Sequence, residues 1–420
     1  MPFSVKVTTT VASTAIVLST VIYYCVLSGG RSSPPSQPKD SSSLRQKVSP
    51  FTFKNYDKLA QQFFCDQLPV KLSDWRNPGD VPECEAIWES LDQVLRNHGL
   101  EQWAHTEIQF LKSPQNSYPL ATGFAYVIPS RMLDSGPGTA KKLTWFQYIN
   151  PVLRMARTKD GHDVAIRVIT VNKDGHEQLN ILRKVAASPS SLLSNNHTLP
   201  MLRVFEYEDI TFGIFPRTAG CMEEAFDSWP KNSVGDVLNM ILQALEGLAF
   251  IHDLGIAHRD ADKSNFLVQW HPESLRTMTV AISRPRVYLI DFEVAVEFPS
   301  ELPIEARVSI GPPSGGTINI ADGWGRAVPP EVDSGMPYSP FKLDVWQLGY
   351  SFITFRSTVP AIDEVLAELV LDDPVARPNA SEALTKLGKV VNGIPPEALL
   401  IEPVKFDIEP KQYSTEPHNA

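Results

Sequence analysis

Residues 256–268 read Ile-Ala-His-Arg-Asp-Ala-Asp-Lys-Ser-Asn-Phe-Leu-Val, a polar loop between two apolar runs. His258, Arg259 and Asp260 open the loop, and Asn265 closes it. A carboxylate and a carboxamide on one short loop can divide a task. The Asp can orient a hydroxyl and accept its proton, while the Asn holds a divalent metal on a phosphate. An ordinary helix-to-strand connection also produces such a loop, so its weight depends on what accompanies it.

Four further stretches accompany it in order. Val287-Tyr-Leu-Ile-Asp291-Phe-Glu293 is a β-rich apolar run ending in Asp-Phe. Val328-Pro-Pro-Glu331 closes a Pro- and Gly-rich segment that starts at Glu297. Asp344-Val-Trp346-Gln-Leu-Gly349 follows, and Arg377-Pro378 then precedes Ala-Ser-Glu-Ala-Leu. Together these stretches resemble the eukaryotic protein kinase family, with its H-R-D-x-x-x-x-N loop, D-F-G segment and A-P-E close.

The resemblance implies an α+β, bilobal protein kinase-like fold, with a small β-rich lobe and a large helical lobe. It implies ATP and Mg²⁺ as cofactors and a protein hydroxyl as acceptor. Asp260 would orient that hydroxyl, and Asn265 and Asp291 would hold the metal. Asp344 would fasten the loop's backbone, His258 would serve it structurally, and Glu331 would pair with Arg377. Arg259 would read a phosphate on the 297–328 segment, where Ser309, Ser314 and Thr317 are the candidates.

The chain departs from the pattern on its phosphate grip. Val164-Ala165-Ile166-Arg167 resembles V-A-I-K with arginine for lysine, and the planar guanidinium is no simple replacement for an ammonium. By register the helical partner glutamate of this nucleotide-binding position falls at Gln178. No Gly-rich loop precedes Arg167, and the corresponding stretch is Tyr148-Ile-Asn-Pro151-Val-Leu-Arg154. Side chains there block close backbone approach to phosphate, and Pro151 has no amide donor. Glu293 replaces the glycine after Asp-Phe. Asp262 stands where the pattern has lysine, with Lys263 beside it as a candidate substitute.

Around these motifs the small lobe should begin near residue 141. Val152–Thr158 and Asp163–Thr170 read as strands joined at Lys159-Asp160-Gly161. A helix is expected over Gly175–Ala187, strands over Met201–Tyr207 and Ile210–Phe215, and a hinge at Pro216-Arg217. A long helix from Val234 to Leu254 should lead into the catalytic loop. After Gly349 the chain reaches Asp373-Pro374 quickly, which shortens a region the family uses for docking.

The chain has 420 residues and a formal net charge of −10. That balance argues against a broad nucleic-acid surface, which needs clustered Lys and Arg. Four cysteines without a Cys-x-x-Cys pair suggest neither a disulfide framework nor a zinc site. Residues 7–28 carry no charge and are long enough to span a bilayer as a helix. More Lys and Arg follow the span than precede it, so the remainder should be cytoplasmic. A cleaved signal peptide is the rival reading, and the length of the span favours an anchor. Cys25 at the inner end of the span is a candidate for acylation.

The expected organisation is a membrane anchor over 1–28 and a Ser/Pro/Gly-rich tether over 29–50. An extension packed on the lobes covers 51–140, a kinase-like domain 141–395 and a polar tail 396–420. Three functions stay open: a membrane-anchored protein kinase, a pseudokinase that acts as a binding scaffold, and a small-molecule phosphotransferase. The Glu331–Arg377 pairing and the Asp344 helix favour the protein-kinase branch over the last.

Overall fold

The computed structural model describes residues 68–406, apart from 77–80, 108–109, 115–144, 149–150, 219, 225–231, 271, 273, 282 and 319–323. The expected membrane span, the tether and most of the tail lie outside the described residues.

Three short helices, α1 (Leu72–Arg76), α2 (Val81–Ser90) and α3 (Asp92–Asn97), precede the first strand, β1 (Leu100–Gln102). Strands β2 (Ala104–Glu107), β3 (Phe110–Lys112) and β4 (Trp145–Gln147) form a small sheet of their own. Then come β5 (Leu153–Thr158), β6 (Asp163–Val171), helix α4 (His176–Val185), β7 (Arg203–Tyr207) and β8 (Ile210–Pro216). The main sheet of the small lobe has the order β1-β5-β6-β8-β7, and every pair in it is antiparallel.

Strand alternation explains how this sheet divides its faces. Val164, Ile166 and Val168 of β6 point one way and Ala165, Arg167 and Ile169 the other. The first set is buried against Trp75, Trp88, Leu91 and Leu95 of the leading helices. Trp75 and Trp88 meet edge to face at 5.7 Å, and both contact Phe212 of β8 at 6.3 Å. Such pairs add about 0.5–1.5 kcal/mol beyond the area they bury. The second face carries Arg167 toward the large lobe.

The small lobe therefore begins earlier than residue 141. Its edge strand β1 lies in the segment expected to be a packed extension. At three residues, Leu-Glu-Gln is too short to show a strand period. As a consequence, residues 103–152 connect β1 to β5, where the kinase pattern has its glycine loop. The Tyr148–Arg154 stretch is the end of this insertion and the start of β5.

Helix α4 starts after Gly175, which sits at φ +83° with its Cα close to β6. A Cβ there would come 2.1 Å from the Ile169 carbonyl oxygen, so only glycine fits. The helix buries Leu179, Ile181, Leu182 and Val185 in the core shared with the large lobe.

The large lobe is built on α5 (Val234–Asp253), opened by a capping box between Ser233 and Asp236. Among the described residues it is the helix long and apolar enough to cross a bilayer. Here its Leu238, Ile241, Leu245 and Leu248 are core residues with no exposed surface to spare. It leads into β10 (Ile256–Ala257), the 258–265 loop, β11 (Phe266–Val268) and β12 (Val287–Leu289); Leu267 lies opposite Tyr288, and β11 also pairs with the short strand β9 (Gly220–Cys221) that precedes α5. Helices α6 (Pro330–Asp333), α7 (Pro340–Ser351), α8 (Pro360–Glu368) and α9 (Ala380–Asn392) complete the lobe. The stretch that reads as shortened after Gly349 holds α8, a single helix before Arg377.

Two Asn-x-Ser/Thr triplets have structural roles. Asn196 is buried, and its side chain donates to the carbonyls of Val185 and Ser190. Asn379 caps α9 through the Glu382 amide.

Candidate active site

The loop is held from below by α7. Asp344 is fully buried, and its carboxylate accepts the amide hydrogens of His258 at 2.7 Å and Arg259 at 2.6 Å. Gln347 accepts from the Ala261 amide at 3.0 Å and donates to the Arg259 carbonyl at 2.8 Å. These four bonds hold Arg259 at φ +67°, a region that side-chain-bearing residues rarely enter. Burial pushes the His258 imidazole below its ordinary pKa, which keeps it neutral. Its Nε2 then donates to the Ile290 carbonyl at 2.8 Å, and Nδ1 accepts from the Asp260 amide at 3.2 Å. The ring stands edge-on to Phe292 at 4.9 Å, joining the loop to the Asp-Phe segment.

Asp260, Asn265 and Asp291 meet above this frame. The Asn265 amide nitrogen donates to the Asp260 carboxylate at 2.7 Å and to its carbonyl at 2.9 Å. With its nitrogen so used, Asn265 has its Oδ1 as the atom a hard cation would take. Asp291 sits at φ +66° between β12 and a short 3₁₀ turn, Phe292–Val294. An Asp carboxylate and an Asn carbonyl suit Mg²⁺, which takes one or two protein oxygens and fills the rest with phosphate and water. Burial pushes the Asp260 carboxyl up to about 7, Arg326 opposes that rise, and Asp291 and Asp262 add to it.

The small-lobe side of the site is built differently. Arg167 does not meet Gln178, which is buried in α4; its Nη2 donates to Asp291 at 2.6 Å and lies 3.6 Å from Glu293. The altered Asp-Phe-Glu thus supplies the acidic partner that the neutral Gln178, in the register of the helical glutamate, does not. Burial alone would raise Asp291, but Arg167 holds its carboxyl below the ordinary value. The Glu293 carboxylate has partners of its own. It accepts from the Thr317 amide at 3.1 Å and hydroxyl at 2.6 Å, and pairs with Arg76 of α1 at 3.1 Å. Burial, then Asp291, raises its pKa. Gly316 leaves room for these contacts, because a Cβ there would approach the Glu293 Cβ to 2.5 Å. Thr317, one of three candidate phosphorylation sites, is buried in this contact.

Two groups at the site escape a reading of the sequence. One is Trp103, which packs with Leu111, Tyr148 and Met155 against the face that carries Ala165. The guanidinium of Arg217, in the hinge, lies 4.6 Å from the Trp103 ring. The other is Arg326, whose Nε is 2.9 Å from Asp260 and whose Nη1 is 2.8 Å from Asp262. Lys263 holds its ammonium 6.0 Å from the Phe352 ring centroid, with its backbone amide on Ser351. The sequence signal for Arg326 was available: an aspartate in a lysine position calls for a cation from elsewhere.

Below the site, Arg377 is fully buried and donates to Glu331 at 2.7 and 3.4 Å, and to the carbonyls of Leu371 and Lys342. This bidentate pair ties the end of the 297–328 segment to the loop before α9.

Comparison with known proteins follows the same direction. No family model matches the chain. The serine/threonine-protein kinase ppk8 of Schizosaccharomyces pombe is 35% identical over 107 residues, 26% of this chain and 17% of that protein. A probable cell division protein kinase of Encephalitozoon cuniculi is 22% identical over 205 residues, 49% of this chain and 56% of that protein. The serine/threonine-protein kinase CAK1 of Saccharomyces cerevisiae is 30% identical over 111 residues, 26% of each chain. The chain thus spans from 17% to 56% of the length of these relatives. With its mixed α+β architecture and this set of relatives, the chain is protein kinase-like.

Proposed function

We propose that the chain transfers the terminal phosphoryl group of Mg-ATP to a hydroxyl of a protein substrate. The observation that supports this is the Asn265–Asp260 hydrogen bond on a loop whose backbone is fixed by Asp344 and Gln347, with Asp291 of the neighbouring segment near enough to raise the Asp260 pKa. Asp260 orients the acceptor hydroxyl and takes its proton. Asn265 and Asp291 hold Mg²⁺, which, when bound, shields the charge of the phosphates. Arg167, already on Asp291, offers its guanidinium to the phosphate oxygens. We further propose that the uncharged span over residues 7–28 anchors the chain to a membrane with residues 31–420 on the cytoplasmic side. That part of the reading rests on the sequence.

A second reading, the binding scaffold, is favoured by one observation. Residues 103–152 replace the glycine loop, and their Trp103 and Tyr148 pack against Ala165 on the cleft face. Thermal denaturation in Mg-ATP separates the two readings. The enzyme reading expects a rise in melting temperature that depends on both ATP and Mg²⁺, and phosphate transfer that stops on Asp260→Ala. No stabilisation at millimolar Mg-ATP would leave the scaffold.

A further inference from the structure

The catalytic loop carries a charge that phosphoryl transfer disfavours. Asp262 lies two residues after Asp260, so two carboxylates flank the place of the transferring phosphate. In the transition state negative charge spreads over the phosphoryl oxygens, and catalysis consists largely of meeting it with fixed cations. The loop itself offers Lys263, whose ammonium lies over Phe352.

Arg326 lies at the closing end of the 297–328 segment, a few residues before Glu331. Its Nε lies 2.9 Å from Asp260 Oδ1, its Nη1 lies 2.8 Å from Asp262 Oδ1, and its Nη2 donates to Ser264 Oγ at 3.0 Å. Three polar residues of the loop, Asp260, Asp262 and Ser264, thus orient one guanidinium. The Arg326 side chain stays 37% exposed, against 12% for Asp260, so it keeps an open edge beside the buried carboxylate. A guanidinium has five N–H donors, enough to hold both carboxylates and still donate to a phosphate oxygen.

We infer that Arg326 is the phosphate-neutralising cation of this site, supplied by the activation segment in place of the lysine that Asp262 displaced. The inference rests on the phosphotransferase reading. The acceptor oxygen forms its bond to the γ-phosphorus as the bond to the ADP oxygen breaks. ADP leaves with the electron pair, and the hydroxyl proton passes to Asp260. Arg326 gains and loses nothing; it meets the oxygens' charge and neutralises Asp262. Because Arg326 belongs to the segment and Asp262 to the loop, the site is complete only while the segment is docked. The buried Glu331–Arg377 pair holds that end of the segment down.

The test uses the full chain with four forms: wild type, Arg326→Ala, Arg326→Lys and the double variant Arg326→Ala/Asp262→Lys. The readouts are phosphate transfer from Mg-ATP and the ratio of Mg-ATP to Mg-ADP affinity. Arg326→Ala should lose about 100-fold or more in transfer, the scale of removing one group aimed at developing charge. It should also lose the preference for ATP over ADP, while ADP affinity stays near wild type. Arg326→Lys should fall between wild type and Arg326→Ala. The double variant should regain most of both properties, because it returns the cation to the loop. An Arg326→Ala form as fast as wild type, or faster, overturns the inference; in the second case Arg326 is a plug. A double variant that folds as well as wild type but recovers neither property also overturns it and leaves Arg326 a structural tie. If wild type binds Mg-ATP without transferring it, the ATP-to-ADP ratio decides alone. If wild type binds no nucleotide, the phosphotransferase reading itself fails and takes this inference with it.

Discussion

The two sides of the cleft are built on different plans. On the large-lobe side, side chains hold backbone: Asp344 and Gln347 take the amides of His258, Arg259 and Ala261. On the small-lobe side, side chains hold side chains from four separate segments: Arg76, Arg167, Asp291 with Glu293, and Thr317. A backbone anchor fixes a loop whatever its other residues are. A side-chain network fixes only itself and changes when any member changes. The first plan fixes the loop that carries Asp260 and Asn265, while the second gathers its charges around an arginine and a glutamate.

The largest expected effect tests whether the large-lobe side carries the chemistry. Asp260→Ala should reduce transfer by about 10²–10⁴-fold, the usual worth of a positioned general base. It should leave Mg-ATP stabilisation largely intact, since the proposed role of Asp260 is on the hydroxyl and not on the metal. Asp291→Ala should do the reverse first, abolishing the Mg²⁺-dependent rise in melting temperature. Equal losses of binding in both variants would erase the distinction between hydroxyl-facing and metal-facing carboxylates.

Next comes the clasp beneath the site. Glu331→Ala leaves the fully buried Arg377 guanidinium without its carboxylate. Breaking a buried pair from one side costs about 3–5 kcal/mol. Denaturant midpoints should fall accordingly, and transfer should fall with them as Arg326 loses its docked segment. A change no larger than that of a surface substitution would show that the segment is held by other means.

These two regions also differ in how well the sequence discloses them. The large-lobe site reads directly because each partner lies in a short contiguous motif: Asp344 in Asp-Val-Trp, Asn265 five positions from Asp260. The helices over 176–185 and 234–253 show their buried faces by spacing, and the Asp160-Gly161 turn announces its hairpin. The small-lobe site does not read this way. Gln178 falls at the right register, but register cannot show that Arg167 prefers two nearby carboxylates to a neutral amide. Arg76 is 217 positions from Glu293, and no local pattern ties them. Strand β1 is hidden by its length, and with it the fact that residues 103–152 are an insertion.

A smaller effect examines the network itself. Arg76 is partly exposed, so its pair with Glu293 contributes about 1 kcal/mol or less. Arg76→Ala should therefore shift the melting temperature only slightly. Its local effect should be clearer: the Thr317 amide, which donates to Glu293, should exchange its hydrogen faster. The amides of His258 and Arg259, held by Asp344, should keep their protection. Faster exchange at both places would mean that the two sides form one cooperative unit and that the contrast between them is only one of chemistry.

The smallest effect is a difference in acid sensitivity. The large-lobe side contains two buried imidazoles, His258 and His197, both held below the ordinary histidine value by burial. His197 lies between the Val287 carbonyl and the Glu246 carboxylate, with Arg286 nearby opposing protonation. In the unfolded chain a histidine takes its proton near pH 6.5, whereas the buried native form resists it. Below about 6.5 the unfolded state then binds more protons, so stability falls as pH falls from there. The small-lobe network has the opposite tendency. Its arginines do not titrate in this range, and Glu293, raised by burial, binds a proton more readily when folded than unfolded. Asp260, raised to about 7, binds its proton more readily when folded and works the other way, so the histidine contribution is read by difference: from about pH 7 to about pH 5 the denaturant midpoint of the wild type should decline relative to that of His197→Gln. Local exchange should show the loss around β12 and α5, which flank His197, before it appears around Thr317. A slope unchanged by His197→Gln would assign the acid sensitivity to His258 alone, and a decline that began at Thr317 would reverse the comparison.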